Sequence, residues 1–298
     1  MAGKHGTLAS ARDLNLASRP RDIHSNKRDN GRILVIGGSS GFHGAPVLVS
    51  NAAYLTLAAM RTGTGYAITC VPKSIISPVR KLSPNLIVRP LSGENLNSRD
   101  LQELKGEARR ADCIVIGPGL GRSRATIKTI AKLISYCLKL EKRLLIDADA
   151  ILAIRSLRGR LGRNVLITPN DHEFHMLSRA ELVDRNARID AVRSLASRLG
   201  ANVLLKGHVT IISDGKRVKL VESKTATLAT MGTGDVLSGI IGGYMTRNGN
   251  AFVSAVAGAY LQAKIGDLLY KEKGYHAIAT DVLDYIPKIL KKYDRTLR

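Results

Sequence analysis

The chain has 298 residues, of which 44% are apolar, with no tryptophan and only 4% aromatic residues, and it carries a formal net charge of +22. A length of this order buries roughly three quarters of the unfolded surface in one core, built here from Ala, Val, Ile and Leu, without metals or disulfides; no apolar run reaches the roughly 18 residues of a membrane helix. The charge points to polyanionic partners, either a nucleic acid or phosphorylated small ligands.

Residues 1–30 are charged and rich in turn formers, and are expected to form a loose lead-in. Residues 32–36 form an apolar run closed by Gly37 and Gly38, as for a strand buried on both faces. A helical pattern over 45–61 follows, stopped at Gly63, and then a strand over 66–71 ended by Pro72. The alternation repeats: strand 112–117, helix 123–140 opened by a capping serine, strand 143–147, a short helix at 148–154, strand 164–168, helix 171–177, helix 186–199 and strand 202–206. A hairpin over 210–213 and 216–221 turns at Asp214-Gly215, and long helices over 233–247 and 251–270 follow. Strands alternating with helices predict an α/β fold with a mostly parallel sheet and a late antiparallel hairpin at one edge. With neither repeat nor linker in view, residues 31–298 are expected to be a single domain.

In such sheets ligands bind outside the carboxyl ends of the strands, and every glycine-rich turn here follows a strand. Gly37 to Pro46 lacks the spacing of a dinucleotide fingerprint or a Walker A loop. Gly117-Pro118-Gly119-Leu120-Gly121-Arg122 suggests close approach of backbone to ligand. Thr168 to Phe174, with His172 and Glu173, is expected beside Gly119 at the same edge. Lys206-Gly207 ends another strand and is suited to border a nucleotide. Met231-Gly232-Thr233-Gly234-Asp235 then opens a helix whose unpaired amides and positive dipole end favour an anion such as phosphate, with Asp235 in the first turn. By itself an Asp in the first turn is as well explained as a cap. Taken with the other loops, it reads as a base for phosphoryl transfer to a hydroxyl.

As an ordered set, strand-Gly-Gly-Ser, Gly-Ala-Pro, Gly-Pro-Gly-Leu-Gly-Arg, Leu-Ile-Asp-Ala-Asp-Ala, Thr-Pro-Asn, Lys-Gly and Gly-Thr-Gly-Asp resemble the ribokinase-like superfamily. Within it they resemble the NAD(P)H-hydrate dehydratases. The resemblance spans about residues 30–268 and implies a three-layer αβα sandwich. It implies an enzyme that uses ADP or ATP, with Mg²⁺, to phosphorylate the hydroxyl of hydrated NADH or NADPH and then eliminates phosphate. Asp235 would be the catalytic base. Ala45, Gly119, Gly121 and His172 would line the hydrate pocket. Lys206, Gly207, His208, Val209 and Thr210, with Thr225 and Gly232, Thr233 and Gly234, would border the nucleotide, and no side-chain metal site is implied. A homo-oligomer is expected, working with an epimerase carried on another chain.

The chain departs from the family pattern at Met231, where another glycine is usual, at 226–228, where Asn-Pro-Gly is usual, and at Asn170, where His is frequent. A small-molecule kinase of the same fold is the alternative enzyme, and a basic nucleic-acid-binding protein the non-enzymatic alternative. The cations are spread over 19–28, 155–163, 216–219 and 288–298 rather than gathered on one helix, and aromatics do not interleave with them. No nucleic-acid partner is therefore expected. Cys70, Cys113 and Cys137 lack metal spacing and read as core residues in a reducing compartment. With no leader-like segment at 1–30, the expected location is the cytoplasm.

Overall fold

In the computed structural model the described residues are 6–39 and 46–297, with 46–51 as backbone only. The elements in chain order are β1 (Thr7–Leu8), α1 (Ala11–Ala17), β2 (Arg21–Asp22), β3 (Arg32–Ile36), α2 (Pro46–Arg61), β4 (Tyr66–Pro72), α3 (Ile76–Leu82), β5 (Ile87–Leu91), α4 (Leu101–Arg110), β6 (Cys113–Ile116) and α5 (Arg124–Lys139). Then come β7 (Arg143–Ile146), a 3₁₀ turn at Ala148–Ser156, β8 (Val165–Ile167), α6 (Asp171–Ser178), α7 (Arg185–Leu199), β9 (Asn202–Leu205), β10 (Val209–Ser213) and β11 (Val218–Glu222). The chain closes with α8 (Thr233–Asn248), α9 (Ala251–Lys273), α10 (Ala279–Leu290) and β12 (Thr296–Leu297).

One sheet runs in the order β1-β11-β10-β9-β8-β7-β6-β3-β4-β5. From β5 to β9 every pairing is parallel, and β10 is antiparallel to both neighbours. Side chains alternate strictly across it. Leu34 and Ile36 of β3 join Ile114, Ile116, Leu144 and Ile146 in a core under α4, α5, α6 and α7. Ile33 and Val35 join Cys113, Val115 and Leu145 in a second core under α2, α8 and α9. These continuous apolar runs are what a strand needs when both faces are covered. The three layers, the parallel sheet and its late hairpin agree with the sequence expectation, and all three cysteines are buried and free.

Two regions differ from expectation. Within 1–30, β1 pairs with β11, and α1 buries Leu14 and Ala17 against Ala257, Leu261 and Ile265 of α9. Among its described residues only Leu14 and Ala17 are fully buried apolar side chains, too few to stand out in composition; the signal present was Asp13 reaching back to the Ser10 amide at 2.9 Å. The second comprises α3, β5, α4 and α10, which the sequence reading left unassigned. β5 is an edge strand holding Arg89 and Pro90 and burying only Val88 and Leu91, so its alternation is weak. No helix among the described residues is long and apolar enough to cross a membrane.

α8 is clamped between α2 and the sheet by residues without side chains. A Cβ on Gly239 would lie 2.2 Å from the Leu55 carbonyl oxygen, one on Gly243 2.9 Å from that of Ala59, and one on Gly242 2.8 Å from Val115. The Gly239→Ala variant must push α2 and α8 apart, and is expected to lose about 1–3 kcal/mol of stability by denaturant unfolding, with a drop in any activity that depends on the start of α8.

Candidate active site

Gly37 to Ser39 after β3 and the loops after β6, β7, β8 and β9 lie at the carboxyl edge of the sheet. Asp147 follows β7 and is almost fully buried, and Lys206 follows β9. Lys206 Nζ donates to Asp147 Oδ1 at 2.8 Å, while Asp147 Oδ2 accepts from Ser238 Oγ of α8 at 2.6 Å. Asp147 Oδ1 also accepts from the Ala148 amide at 2.8 Å. Burial alone would raise the Asp147 pKa, but the Lys206 ammonium and these hydrogen bonds outweigh it, so the carboxyl sits below its ordinary range. For Lys206, burial opposes the charged form, and Asp147 and Glu173 override it, leaving the ammonium more basic than usual. One ammonium thus stands among several carboxylates.

Asp235 opens α8 three residues before Ser238, on the same helical face. It is half-buried, and its pKa is raised to about 7, first by burial and then by the Asp147 charge, which Lys206 offsets only in part. Glu173, one residue beyond His172 on α6, is raised by burial too, and its Oε2 accepts from the Asn170 amide at 2.9 Å.

The start of α8 has no side-chain cap, and its N-cap Gly232 has φ +88°. A Cβ there would lie 3.0 Å from Ala279 Cβ, so both space and backbone exclude a side chain. Thr233 Oγ1 lies 2.8 Å from the carbonyl oxygens of both Leu228 and Thr230, which share its one proton, and Gln262 Nε2 donates to the Thr233 carbonyl at 2.7 Å, which pins the turn. Beside it opens a cavity of about 370 Å³ with walls of Val221, Leu228, Leu237, Ala259 and Ala263. Lys206, Gly207, His208, Thr210, Thr225, Thr233 and Gly234 also line it. An apolar slot ending at a helix N-terminus and an ammonium suits a flat base bearing phosphates. Val209 and Gly232 do not line it: Val209 packs into the core below β10, and Gly232 is the cap itself.

On the other side of Lys206, Gly119 is buried at φ +68° and Gly121 stands at φ +80°. The Gly121 amide donates to Asp149 Oδ2 at 2.9 Å, and Arg122 Nε to Asp149 Oδ1 at 2.7 Å. The neighbour of the 117–122 loop is therefore the Asp147–Asp149 turn rather than the 168–174 loop, because β7 lies between β6 and β8. Gly117 serves that backbone contact: a Cβ there would fall 1.7 Å from the Asp147 carbonyl oxygen. His172 is exposed at the start of α6. Ala45 lies outside the described residues. Asp147 and Ser238 were not singled out from sequence. The available signals were an acid closing the apolar run of β7 and a serine three residues after Asp235 in an otherwise apolar helix.

The family model for NAD(P)H-hydrate dehydratase matches residues 33–288. The chain belongs to that family. An ADP-dependent (S)-NAD(P)H-hydrate dehydratase of Nitrosopumilus maritimus is 36% identical over 279 residues, covering 93% of this chain and 94% of that protein. A bifunctional NAD(P)H-hydrate repair enzyme of Pyrobaculum aerophilum is 34% identical, but this family member spans only 53% of its length. An ADP/ATP-dependent NAD(P)H-hydrate dehydratase of Bacillus subtilis, co-crystallised with ATP and Mg²⁺, shares the fold at a TM-score of 0.81 and 22% identity, with 97% of this chain and 99% of that one covered.

The raised Asp235 pKa has a measurable consequence. In the unfolded chain the carboxyl ionises near its ordinary 3.8, in the folded chain at about 7. The folded state therefore loses stability as pH rises between these values, and the full cost stands above the higher one. Asp235→Asn removes that cost. It is expected to raise stability by roughly 2 kcal/mol at pH 8, half the full linkage value because water screens the half-buried carboxylate. The gain shrinks as pH falls toward 5, read by thermal unfolding across that range.

Proposed function

We propose that this chain repairs hydrated NADH and NADPH by ADP-dependent dehydration. The observation that carries the reading is a half-buried carboxylate with its pKa near 7 at the head of an uncapped helix, flanked by Lys206 and a nucleotide-sized apolar cavity. Lys206, Gly207, His208, Thr210, Thr225, Thr233 and Gly234 take the adenine nucleotide in this reading, with Gly119, Gly121 and His172 on the hydrate side. The strong identity to proteins named ADP-dependent dehydratases supports ADP as donor.

Asp235 takes the proton of the hydrate's hydroxyl, and the freed oxygen attacks the terminal phosphorus of ADP as the bond to the AMP oxygen breaks. The Gly234 and Asp235 amides and Lys206 hold the charge that develops on the transferred group. Lys206 keeps donors to spare beyond its bond to Asp147. The ring nitrogen's lone pair then expels phosphate, a far better leaving group than hydroxide, and loss of a proton from the adjacent carbon restores the dihydronicotinamide. With a pKa near 7, Asp235 releases the proton it took back to water.

Among the described residues no group of three or more His, Cys, Asp or Glu side chains could hold a metal ion. Mg²⁺ in this reading is carried on the nucleotide phosphates, whose charge it neutralises when bound.

Hydrated NADH with ADP and Mg²⁺ is expected to regain the absorbance of NADH with stoichiometric phosphate release; no recovery with either ADP or ATP would discard the reading. A stable phosphorylated product would instead mark a kinase.

Asp235→Asn should lower kcat by at least about 100-fold while calorimetric ADP affinity stays within threefold. In the unsubstituted enzyme kcat/KM should fall tenfold per pH unit below about pH 7, because only the ionised base accepts the proton. A profile flat down to pH 5.5 would remove Asp235 from that role.

A further inference from the structure

The surplus of positive charge has no role in the reading above, and, contrary to the sequence expectation, part of it gathers on one helix, α5. Arg124, Lys128, Lys132 and Lys139 all lie on the solvent side of α5 and line one wide groove, closed on its flanks by Lys105 of α4 and by Arg155 after the 3₁₀ turn. Its volume is about 1430 Å³, and no carboxylate lines it among the described residues. Arg124, Lys128, Lys132, Lys139 and Arg155 have no acidic partner among those residues either. The groove begins at Arg122, on the rim of the candidate active site, and follows α5 away from it.

This arrangement is unfavourable for the helix that carries it. Like charges at i, i+4 repel, as Arg124, Lys128 and Lys132 do. A cation in the first turn opposes the helix dipole, and α5 has no acid there to balance Arg124. Helix stability therefore does not account for the stripe. Cations four residues apart advance about 6 Å per step, and the stripe runs some 22 Å from Arg124 to Lys139.

We propose that this groove binds the phosphodiester backbone of a nucleic-acid duplex without regard to sequence. A wide, shallow trough of cations spaced along one helix fits the regularly spaced charges of one phosphate strand. A single strand would need exposed aromatic faces for its unstacked bases. The groove's one aromatic, Tyr136, is already engaged: Lys105 Nζ lies 5.1 Å and Arg109 Cζ 5.9 Å from its ring centre. A duplex, with its bases paired internally, offers only phosphates.

The test is fluorescence anisotropy with labelled 20-base-pair DNA and RNA duplexes, a dT20 single strand, and vesicles containing phosphatidylserine. Expected is a Kd of about 1–10 µM for a duplex at 100 mM KCl, with a slope of log K against log salt of about −4. The triple variant Arg124→Gln/Lys128→Gln/Lys132→Gln should weaken this at least about tenfold and flatten the slope by about 2 to 3, with hydrate turnover unchanged. Lys288→Gln/Lys291→Gln/Lys292→Gln removes the same charge at the end of α10 and should change duplex binding less than twofold. The proposal is overturned by duplex binding weaker than about 0.1 mM, by equal losses in the two triple variants, or by tighter binding of dT20 or vesicles than of either duplex.

Discussion

The pair formed by Lys206 and Asp147 holds the carboxyl edge of the sheet together. It joins the ends of β7 and β9 across β8, and through Ser238 it reaches α8 on the other face of the sheet. Desolvating two charges costs several kcal/mol, and the mutual attraction with added hydrogen bonds roughly offsets that. The pair is thus weak as a source of stability and strong as a constraint. Removing either partner leaves an uncompensated charge at the point where three elements meet.

The electrostatic pattern of the site follows from that constraint. Burial raises the Asp235 carboxyl first, and Lys206, committed to Asp147, cancels only part of the Asp147 field, so the Asp235 pKa stays near neutrality. A base of that pKa is suited to take a proton and return it at physiological pH. The same shift makes this carboxylate costly to the fold, as expected where catalytic groups are held in place by the surrounding structure. The geometry is maintained from behind, because α8 is pressed on both sides by contacts that allow no Cβ at Gly239, Gly242 or Gly243.

The apolar strands β3, β6, β7, β8 and β9 were legible because burial on both faces leaves an uninterrupted hydrophobic run. The turn at 232–235 was legible because glycine density before a helix has few other uses. β5 and α1 were not, since an edge strand and a short surface helix bury too few side chains to impose a pattern. Among the glycines, sequence could mark 117–121 as special but not divide the labour: Gly117 makes room for the Asp147 backbone, while Gly121 offers its amide to Asp149.

The sequence by itself determined the α/β architecture, the sheet edge at which function gathers and the family to which the chain belongs, because these depend on local periodicity and on short motifs in order. Tertiary structure alone decided that Asp235 is partly buried and feels the charge of Asp147, 88 residues away, and that Lys105 and Arg155 flank the cations of α5. That coupling and those flanking contacts depend on distances between residues remote in sequence. Electrostatic interaction falls with distance in space, whatever the separation along the chain.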